Sequence, residues 1–239
     1  MTPRPSTDEP HVAGVDGCRR GWVVATTPAR GPAPLVSIEV VPHIQTVLDR
    51  VRAGELVAVG LDMPFGLPPA GTRACDVAAR RRLGPRRSSV FPAPPRPLLG
   101  SADHAEAVRR SRALDGRGVS IQAYNLLPKI AEVDRCIDVD LAESVVEAHP
   151  ESALAELAGG PLATTKRTAV GRAERLALLD GPFPASRDVL AAPRSGAAVD
   201  DVLDAAAAAW SARRWAAGTA LVLGDGARDE RGLPMRVAV

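Results

Sequence analysis

The chain of 239 residues predicts an α/β fold built on a mixed β-sheet. Short apolar segments typical of strands alternate with segments whose apolar residues recur at helical spacing, and this alternation indicates an α/β architecture. The opening strands are joined by short turns, which connect antiparallel neighbours. Apolar residues make up 46% of the chain but aromatic ones only 3%, so valine, leucine and alanine must form most of the core.

The first sixty or so residues predict three strands, one helix and a fourth strand. Residues 11–27 predict a strand, a turn bounded by glycines and a second strand, and residues 35–41 predict a third. Residues 44–52 have the apolar spacing of a helix. Residues 56–61 form an apolar run typical of a buried strand, which ends near a proline because proline lacks the N–H that a sheet ladder needs.

The rest of the chain predicts mainly helices. Residues 71–142 contain helical pieces interrupted by a proline-rich loop at 91–97, and they predict an insertion. A short strand is expected at 145–146. The remaining predicted elements are two helices, an alanine-rich helix and a terminal hairpin, at residues 151–158, 172–179, 199–217 and 221–239, respectively.

Residues 1–10 are polar and proline-rich and predict a disordered tail rather than a signal peptide, and residues 11–239 predict a single domain. No apolar run reaches the roughly 18 residues of a membrane span, so no membrane partner is expected. The three cysteines have no C-x-x-C spacing, which argues against a disulfide framework or a zinc site and favours a cytoplasmic location. The net charge of +2 neither requires nor opposes a nucleic-acid partner.

Four aspartates occupy positions suited to a divalent-cation site. Asp16 ends the first apolar run, Asp62 ends the run at 56–61, and Asp201 and Asp204 begin the alanine-rich helix. Carboxylates from strand ends and from one helix face are the ligands that Mg²⁺ or Mn²⁺ prefers. Two such charges about 5 Å apart repel by roughly 3 kcal/mol at an effective dielectric constant of about 20, and a bound cation would remove this repulsion.

Each of these acids also has a purely structural interpretation. Aspartate before glycine is common in turns, as at Asp16, and Asp62 could simply end a strand. Acids in the first turn of a helix interact favourably with its dipole, which accounts well for Asp200. The dipole accounts less well for Asp204, whose apolar neighbours indicate a buried face. Its partner on that face is either Asp200 or Asp201, and Asp201 is preferred.

Two further residues follow the strand predicted at 145–146. Glu147 is interpreted as an additional metal ligand or a general base, and His149 as a residue that orients water or a phosphate. The alternative is an ordinary strand-to-helix turn in which neither side chain has a chemical role.

The segment between residues 71 and 97 is strongly basic, with seven arginines against Asp76 alone. Arginine pairs with phosphate in a bidentate manner, so this segment is the preferred substrate-binding region. All but two of the 30 basic residues are arginine, however, so clusters also arise by chance. The two lysines, Lys129 in a predicted turn at 128–130 and Lys166 in a threonine-rich segment, are secondary candidates for phosphate binding.

The chain resembles a known family in motifs that run in the family's order from about residue 12 to the end. They are GVDGCRRGWVV, GLDMPFGLP, RRSSVFPAPPR, QAYNLLPKIAEVD, VVEAHPES and DDVLDAAAAAW. The family is domain of unknown function family 429, a predicted RNase H-like nuclease group, and RRSSVFPAP and LPKIAEVD are the specific motifs. The resemblance implies an RNase H-like fold, with a five-stranded mixed sheet and helices on both faces.

The resemblance also implies roles for individual residues. RNase H-like nucleases place one carboxylate on the first strand, one at the end of the fourth strand and one or two on the last helix. Asp16 and Asp62 match the first two positions. The D-x-x-D-A of Asp201, Asp204 and Ala205 is similar to the last-helix motif of RuvC-type junction resolvases. A phosphate-facing loop is implied for four residues: Arg86, Arg87, Ser88 and Ser89.

The leading functional hypothesis is a metal-dependent nuclease with two Mg²⁺ or Mn²⁺ ions about 4 Å apart. Asp16 would bridge the ions, Asp62 would hold one of them, and Asp201 with Asp204 would hold the other. The sequence does not determine whether the nucleic-acid substrate is DNA or RNA, or single- or double-stranded. It does not determine the oligomeric state either, and a homodimer is one of the options. The alternatives are a non-catalytic binding protein with this fold and, less favoured, a relative of actin-like ATPases and sugar kinases, because Gly17 is not followed by their glycine-rich phosphate loop.

Overall fold

A computed structural model describes residues 9–192 and 194–239. The tail predicted at residues 1–10 therefore lies outside the described residues, apart from its last two. Of these, Pro10 accepts a hydrogen bond through its carbonyl from the Ala29 N–H at 2.8 Å. None of the helices in the described ranges is long and apolar enough to cross a membrane.

Five strands form the mixed sheet that the sequence predicts. They are β1 (His11–Cys18), β2 (Gly21–Pro28), β3 (Ser37–Val41), β4 (Leu56–Asp62) and β5 (Val145–Glu147). Their order across the sheet is β3-β2-β1-β4-β5. β1, β2 and β3 pair antiparallel through short connections, whereas β4 pairs parallel with both β1 and β5. The α/β class and the five-stranded mixed sheet are thus confirmed.

Nine α-helices and a small hairpin complete the described ranges. The helices are α1 (Gln45–Arg52), α2 (Ala74–Leu83), α3 (His104–Asp115), α4 (Ile121–Cys136), α5 (Leu141–Ser144), α6 (Pro150–Leu157), α7 (Ala169–Asp180), α8 (Arg187–Ala191) and α9 (Val199–Ala216). Two 3-10 helices, Gly84–Ser89 and Arg96–Leu98, lie between α2 and α3. The hairpin predicted at the end of the chain pairs β6 (Val222–Leu223) with β7 (Val237–Ala238).

Helices cover both faces of the sheet because the central strands are apolar on both sides. On one face, Trp22 and Val24 of β2 pack in one hydrophobic cluster with residues of α1, α4 and α5. On the other face, Val23 and Ala25 pack with residues of α6, α7 and α9. All four of these side chains are fully buried, as expected for a strand covered on both sides.

The helix α9 lies unusually close to the sheet because both surfaces consist of small residues. A Cβ atom added to Gly14 of β1 would lie 1.9 Å from the carbonyl oxygen of Ala205, and one added to Gly60 of β4 would lie 2.2 Å from that of Ala208. Backbone therefore packs directly on backbone where α9 crosses the sheet. This contact determines how near the acid on α9 comes to the acids on the strands.

One local prediction is wrong. Residues 128–130 form no turn, because α4 runs from Ile121 to Cys136 with Pro128 inside it. A proline within a helix removes one backbone hydrogen bond and normally bends or ends the helix. Pro128 lies on the exposed side of α4, while Leu127 and Ile130 are buried, so packing of the apolar face keeps the helix continuous.

Candidate metal centre

Asp16 and Asp62 are brought together by the pairing of β1 with β4. The two strands are parallel, and Asp16 lies directly opposite Asp62 in the register. Because side chains alternate between faces along a strand, residues at paired positions point to the same side. The two carboxylates therefore share one face of the sheet, at the carboxyl ends of adjacent strands. The Asp16 carboxylate also accepts a 2.6 Å hydrogen bond from the N–H of Gly17.

Asp204 completes the cluster from the first turns of α9. Three carboxylate oxygens, one each from Asp16, Asp62 and Asp204, lie within 4.8 Å of one another. This separation is small enough for a single cation to contact all three oxygens. Asp16 and Asp204 are buried, and Asp62 is partly buried. The close backbone contact of α9 with β1 and β4 is what makes this convergence geometrically feasible.

Asp201, the fourth predicted ligand, has a structural partner instead. Its carboxylate accepts a 2.8 Å hydrogen bond from the N–H of Ala198 and so caps the beginning of α9. Such a bond satisfies one of the free N–H groups at a helix start. Asp201 borders the same cavity as the three converging acids but is not a member of their cluster.

Lys166 is the cation that directly contacts the acid cluster. Its ammonium group donates a hydrogen bond to the carboxylate of Asp204, which is almost fully buried. The loop that carries Lys166 is held by α7, because Arg172 donates to the carbonyls of Lys166 and Arg167 at 3.5 and 3.4 Å. Arg175 of α7 also donates to the carbonyl of Thr164 at 3.2 Å.

The cluster carries more negative charge than its surroundings neutralise. Burial is the main cause that raises the pKa of Asp16 well above its usual range, followed by repulsion from Asp62 and Asp204. Burial and then repulsion from Asp204 likewise raise the pKa of Asp62. The pKa of Asp204 is also raised by burial, although Lys166 opposes this shift. Acids with such perturbed pKa values are typical of functional sites.

These shifts predict an unusual dependence of stability on pH. An acid whose pKa is higher in the folded state binds more protons there, so the metal-free protein should lose stability as the pH rises from about 4, the unfolded pKa of aspartate, through the raised pKa of Asp62. We expect Asp62→Asn to remove part of this loss and to be more stable than wild type at pH 8 in EDTA.

Urea unfolding of both proteins between pH 5 and pH 8 tests this expectation. The comparison cancels contributions common to both proteins, including that of His149, whose pKa is lowered by burial and whose effect on stability has the opposite sign. Parallel pH profiles for wild type and Asp62→Asn would contradict the assignment of an uncompensated charge to Asp62.

Glu147 lies next to this cluster but binds an arginine. Both of its oxygens accept hydrogen bonds of 2.7 Å from Arg73, and one also accepts from the N–H of Phe65 at 3.3 Å. Arg73 pairs in addition with Asp76 through two hydrogen bonds of 2.6 and 3.1 Å. The structure therefore does not bring Glu147 into the group of converging acids. Its hydrogen bonds to Phe65 and Arg73 instead hold the segment after β4 against β5.

His149 uses both ring nitrogens within the protein. Nδ1 accepts a hydrogen bond from the N–H of Ser152 at 3.2 Å, which caps the start of α6. With this tautomer, Nε2–H donates to the carbonyl of Ser89 at 3.1 Å. Burial lowers the pKa of His149, which favours the neutral ring that this bonding pattern requires. His149 thus fastens the loop around Ser89 to α6.

The predicted phosphate-facing loop is only partly directed at the acids. Arg86, Ser88 and Ser89 border the cavity that contains the acid cluster, but Arg87 is exposed outside its lining. Arg86 is held loosely, with its Nε 3.4 Å from a carboxylate oxygen of Glu151. Most other arginines of the basic segment have partners elsewhere: Arg73 with Glu147, Arg80 with Val90, Arg82 with Glu156, and Arg96 with Asp134 and Asp229.

Lys129 also borders the cavity, and its ammonium group is held by neighbouring residues. It donates a 2.6 Å hydrogen bond to the carbonyl of Gly21 and lies 4.4 Å from the centre of the Trp22 ring. A cation over an aromatic face is favourable. Lys129 thus fixes the turn between β1 and β2 beside Asp16, and it lies in a helix rather than in the predicted turn.

The acids open into a cavity of about 800 Å³, called the central cavity below. The lining residues that were not predicted from the sequence include Arg19, Phe91, Gln122, Asn125 and Arg167. The spacing of Gln122, Asn125 and Lys129 would have placed them on one helix face, had Pro128 not suggested a turn. Nothing in the sequence distinguishes Arg19 and Arg167 from the many other arginines.

Comparison with known proteins supports a family assignment. The family model described as "Protein of unknown function (DUF429)" matches residues 14–228. Searches among curated proteins and among solved structures find no match. The family match covers most of the chain, including the part of β1 that carries Asp16, all of β4 with Asp62 and the whole of α9. By this match the chain belongs to the DUF429 family, in agreement with the resemblance of its motifs.

Proposed function

We propose that this protein is a divalent-metal-dependent nuclease that hydrolyses phosphodiester bonds of a nucleic acid. The observation that carries the proposal is the convergence of Asp16, Asp62 and Asp204 from two strands and a helix to within 4.8 Å. The same three positions are those implied by the RNase H-like resemblance of the sequence. Support also comes from the cations at the central cavity, Lys166 and Arg86 among them, which suit an anionic substrate.

The donor set fits a hard divalent cation such as Mg²⁺ or Mn²⁺. All three acids offer carboxylate oxygens, the ligands that these ions prefer, and the cluster contains no thiol or imidazole that would favour a softer metal. Three carboxylates paired with one ammonium group leave two negative charges, which one divalent ion would neutralise. A second ion, as the two-metal hypothesis requires, would need further negative charge from Asp201 or from the substrate phosphate.

In phosphodiester hydrolysis, the acids would bind the metal ion and the neighbouring cations would bind the phosphate. A bound ion would polarise the phosphate and lower the pKa of an attacking water. Asp16, Asp62 and Asp204 would hold that ion, since one oxygen of each lies within 4.8 Å of the others. Lys166 and Arg86 would bind phosphate oxygens, since the first is partly exposed and the second is only loosely paired with Glu151.

A cleavage assay with matched variants tests the proposal. The protein is incubated with Mg²⁺ or Mn²⁺ and with labelled single-stranded, duplex, hybrid and branched nucleic acids. We expect Asp16→Asn to slow cleavage by more than the roughly 10- to 100-fold that is typical for residues behind metal ligands. Asp200→Asn is the matched control, because this neighbouring acid on α9 belongs neither to the acid cluster nor to the lining of the central cavity.

Thermal unfolding with and without Mn²⁺ supplies a readout independent of turnover. Wild type and Asp200→Asn should be stabilised by the ion, and Asp16→Asn should not, since only a ligand that binds the folded state raises its stability. If no substrate is cleaved and the ion stabilises all three proteins equally, the Asp16 metal site is wrong. A non-catalytic nucleic-acid-binding protein would then be the better description.

A further inference from the structure

Phe91 is an exposed aromatic side chain on the wall of the central cavity. It is 48% exposed, more than any other Phe, Tyr or Trp in the described residues. Isolated exposed apolar side chains are ordinary on protein surfaces. Phe91 differs from the other exposed apolar residues of the described ranges, such as Ile121 and Val170, because it alone among them lines the cavity that holds the acids.

The loop that carries Phe91 is fastened on both sides. Before it, the Ser89 carbonyl accepts from His149, and the Val90 carbonyl accepts from Arg80 at 2.8 Å. After it, the N–H of Ala93 donates to the buried Asp76 carboxylate at 3.0 Å. Prolines at 92, 94 and 95 restrict the backbone further. Because the backbone on both sides of Phe91 is already fixed, little of the loop has to be ordered when a flat ligand stacks on the ring.

Two free amide groups lie along α4 in the lining of the same cavity. Gln122 and Asn125 are exposed, and neither side chain has a hydrogen-bond partner within the described residues. They share one face of α4 with Lys129, because the three residues are separated by three and then four positions and such spacings fall on the same side of an α-helix. The amide of Asn or Gln offers one acceptor and two donor hydrogens, a set that matches the edge of a nucleobase.

The position of Lys129 relates these groups to the acids. A Cβ atom on Gly17, the residue after Asp16, would lie 2.8 Å from the Lys129 Cδ atom, so this end of the α4 face adjoins the acid cluster. At 1.5 Å per residue, Asn125 lies about 6 Å and Gln122 about 10 Å further along the helix axis. The α4 face therefore runs outward from the acids along the cavity wall.

We propose that Phe91, Gln122 and Asn125 form a base-binding subsite, and that the substrate is single-stranded nucleic acid. This inference rests on the proposed nuclease function, since it assumes that the phosphate of the same strand lies at the acids. Phe91 stacks on the face of an unpaired base, while the two amides contact its edge. In a duplex, both the faces and the pairing edges of the bases are occupied, so only an unpaired base can use all three groups.

Binding measurements in Ca²⁺, which replaces Mg²⁺ to slow turnover, test the subsite. Fluorescence anisotropy gives the affinity for labelled oligo(dT), oligo(rU) and a DNA duplex of equal length, and the two single strands distinguish a DNA preference from an RNA preference. We expect single strands to bind more tightly than the duplex. Phe91→Ala should weaken single-strand binding by roughly 5- to 150-fold, the range for loss of one base–aromatic stack.

Two variants separate stacking from general effects on the protein. Phe91→Trp should keep single-strand affinity within about 3-fold of wild type, because it retains an aromatic face. Ile121→Ala removes an exposed apolar side chain next to the subsite but outside the cavity lining, and it should leave binding unchanged. The inference is overturned if Phe91→Ala binds single strands as wild type does, or weakens single-strand and duplex binding equally.

The outcomes also separate this inference from the proposed function. Single-strand binding that depends on Phe91, without cleavage of any substrate, would keep the base-binding subsite and reject the nuclease. Metal-dependent cleavage that Asp16→Asn removes but Phe91→Ala leaves unchanged on single strands would keep the nuclease and reject the subsite.

Discussion

Replacement of Arg73 by methionine should lower the free energy of unfolding by about 3–5 kcal/mol, the usual cost of breaking a buried ion pair. The Arg73 side chain is fully buried and neutralises both Asp76 and Glu147. Methionine fills most of the space but leaves two buried carboxylates without a counter-charge. The same change should disturb the Phe91 loop, because Asp76 also accepts the N–H of Ala93.

Urea denaturation at pH 7 measures the effect of Arg73→Met. Arg187→Met is the matched control, since Arg187 pairs with Asp180 at 2.7 Å but both side chains are substantially exposed. Exposed pairs contribute little, so the control should unfold almost as wild type does. Equal losses of stability in the two variants would show that the buried ion pairs of Arg73 contribute no more to stability than the exposed pair of Arg187.

Replacement of Gly14 by alanine should cost about 3 kcal/mol of stability, the upper end of the range for overpacking, and should impair metal binding as well. The added methyl would meet backbone atoms of α9, namely the Ala205 oxygen at 1.9 Å and the Ala209 nitrogen at 2.0 Å. Backbone cannot rotate away as a side chain can. Relief requires α9 to move from the sheet, and Asp204 moves with it.

The stability of Gly14→Ala and its response to Mn²⁺ are compared with those of Gly118→Ala. A Cβ atom at Gly118 would contact nothing within 4 Å, and neither glycine has a positive φ, so the pair isolates the steric effect. Gly118→Ala should match wild type in both measurements. If Gly14→Ala did so too, the close approach of α9 would not determine the position of Asp204.

Several elements along the chain were predictable from local features of the sequence, although the order of the strands across the sheet was not. The glycine-bounded turn at 19–20 joins β1 to β2, and the apolar run at 56–61 corresponds to β4. The alanine-rich segment forms α9 almost as predicted. Pro128 was misleading because a local rule for proline was overridden by the packing of Leu127 and Ile130 in the interior, which only the tertiary structure shows.

The site was predictable where it depends on strand ends and not where it depends on pairing between distant segments. Asp16, Asp62 and Asp204 converge as expected from their elements. Glu147 does not join them because it pairs with Arg73. This ion pair was not predictable, because the two residues are 74 positions apart along the chain and no local pattern indicates it. Phe91 was missed for a different reason: residues 91–97 were predicted as a proline-rich loop, and nothing local shows which side chain of such a loop faces a cavity.

The direct pairing of Asp16 with Asp62 also has a consequence for how the chain folds. A slip of one residue between β1 and β4 would leave the two carboxylates on opposite faces of the sheet. A slip of two residues would keep them on one face but displace them by about 7 Å along the strands. A divalent ion that requires both carboxylates would therefore bind the correctly paired sheet and no slipped form of it. Such an ion would stabilise the native strand alignment over its misaligned competitors before any substrate is bound.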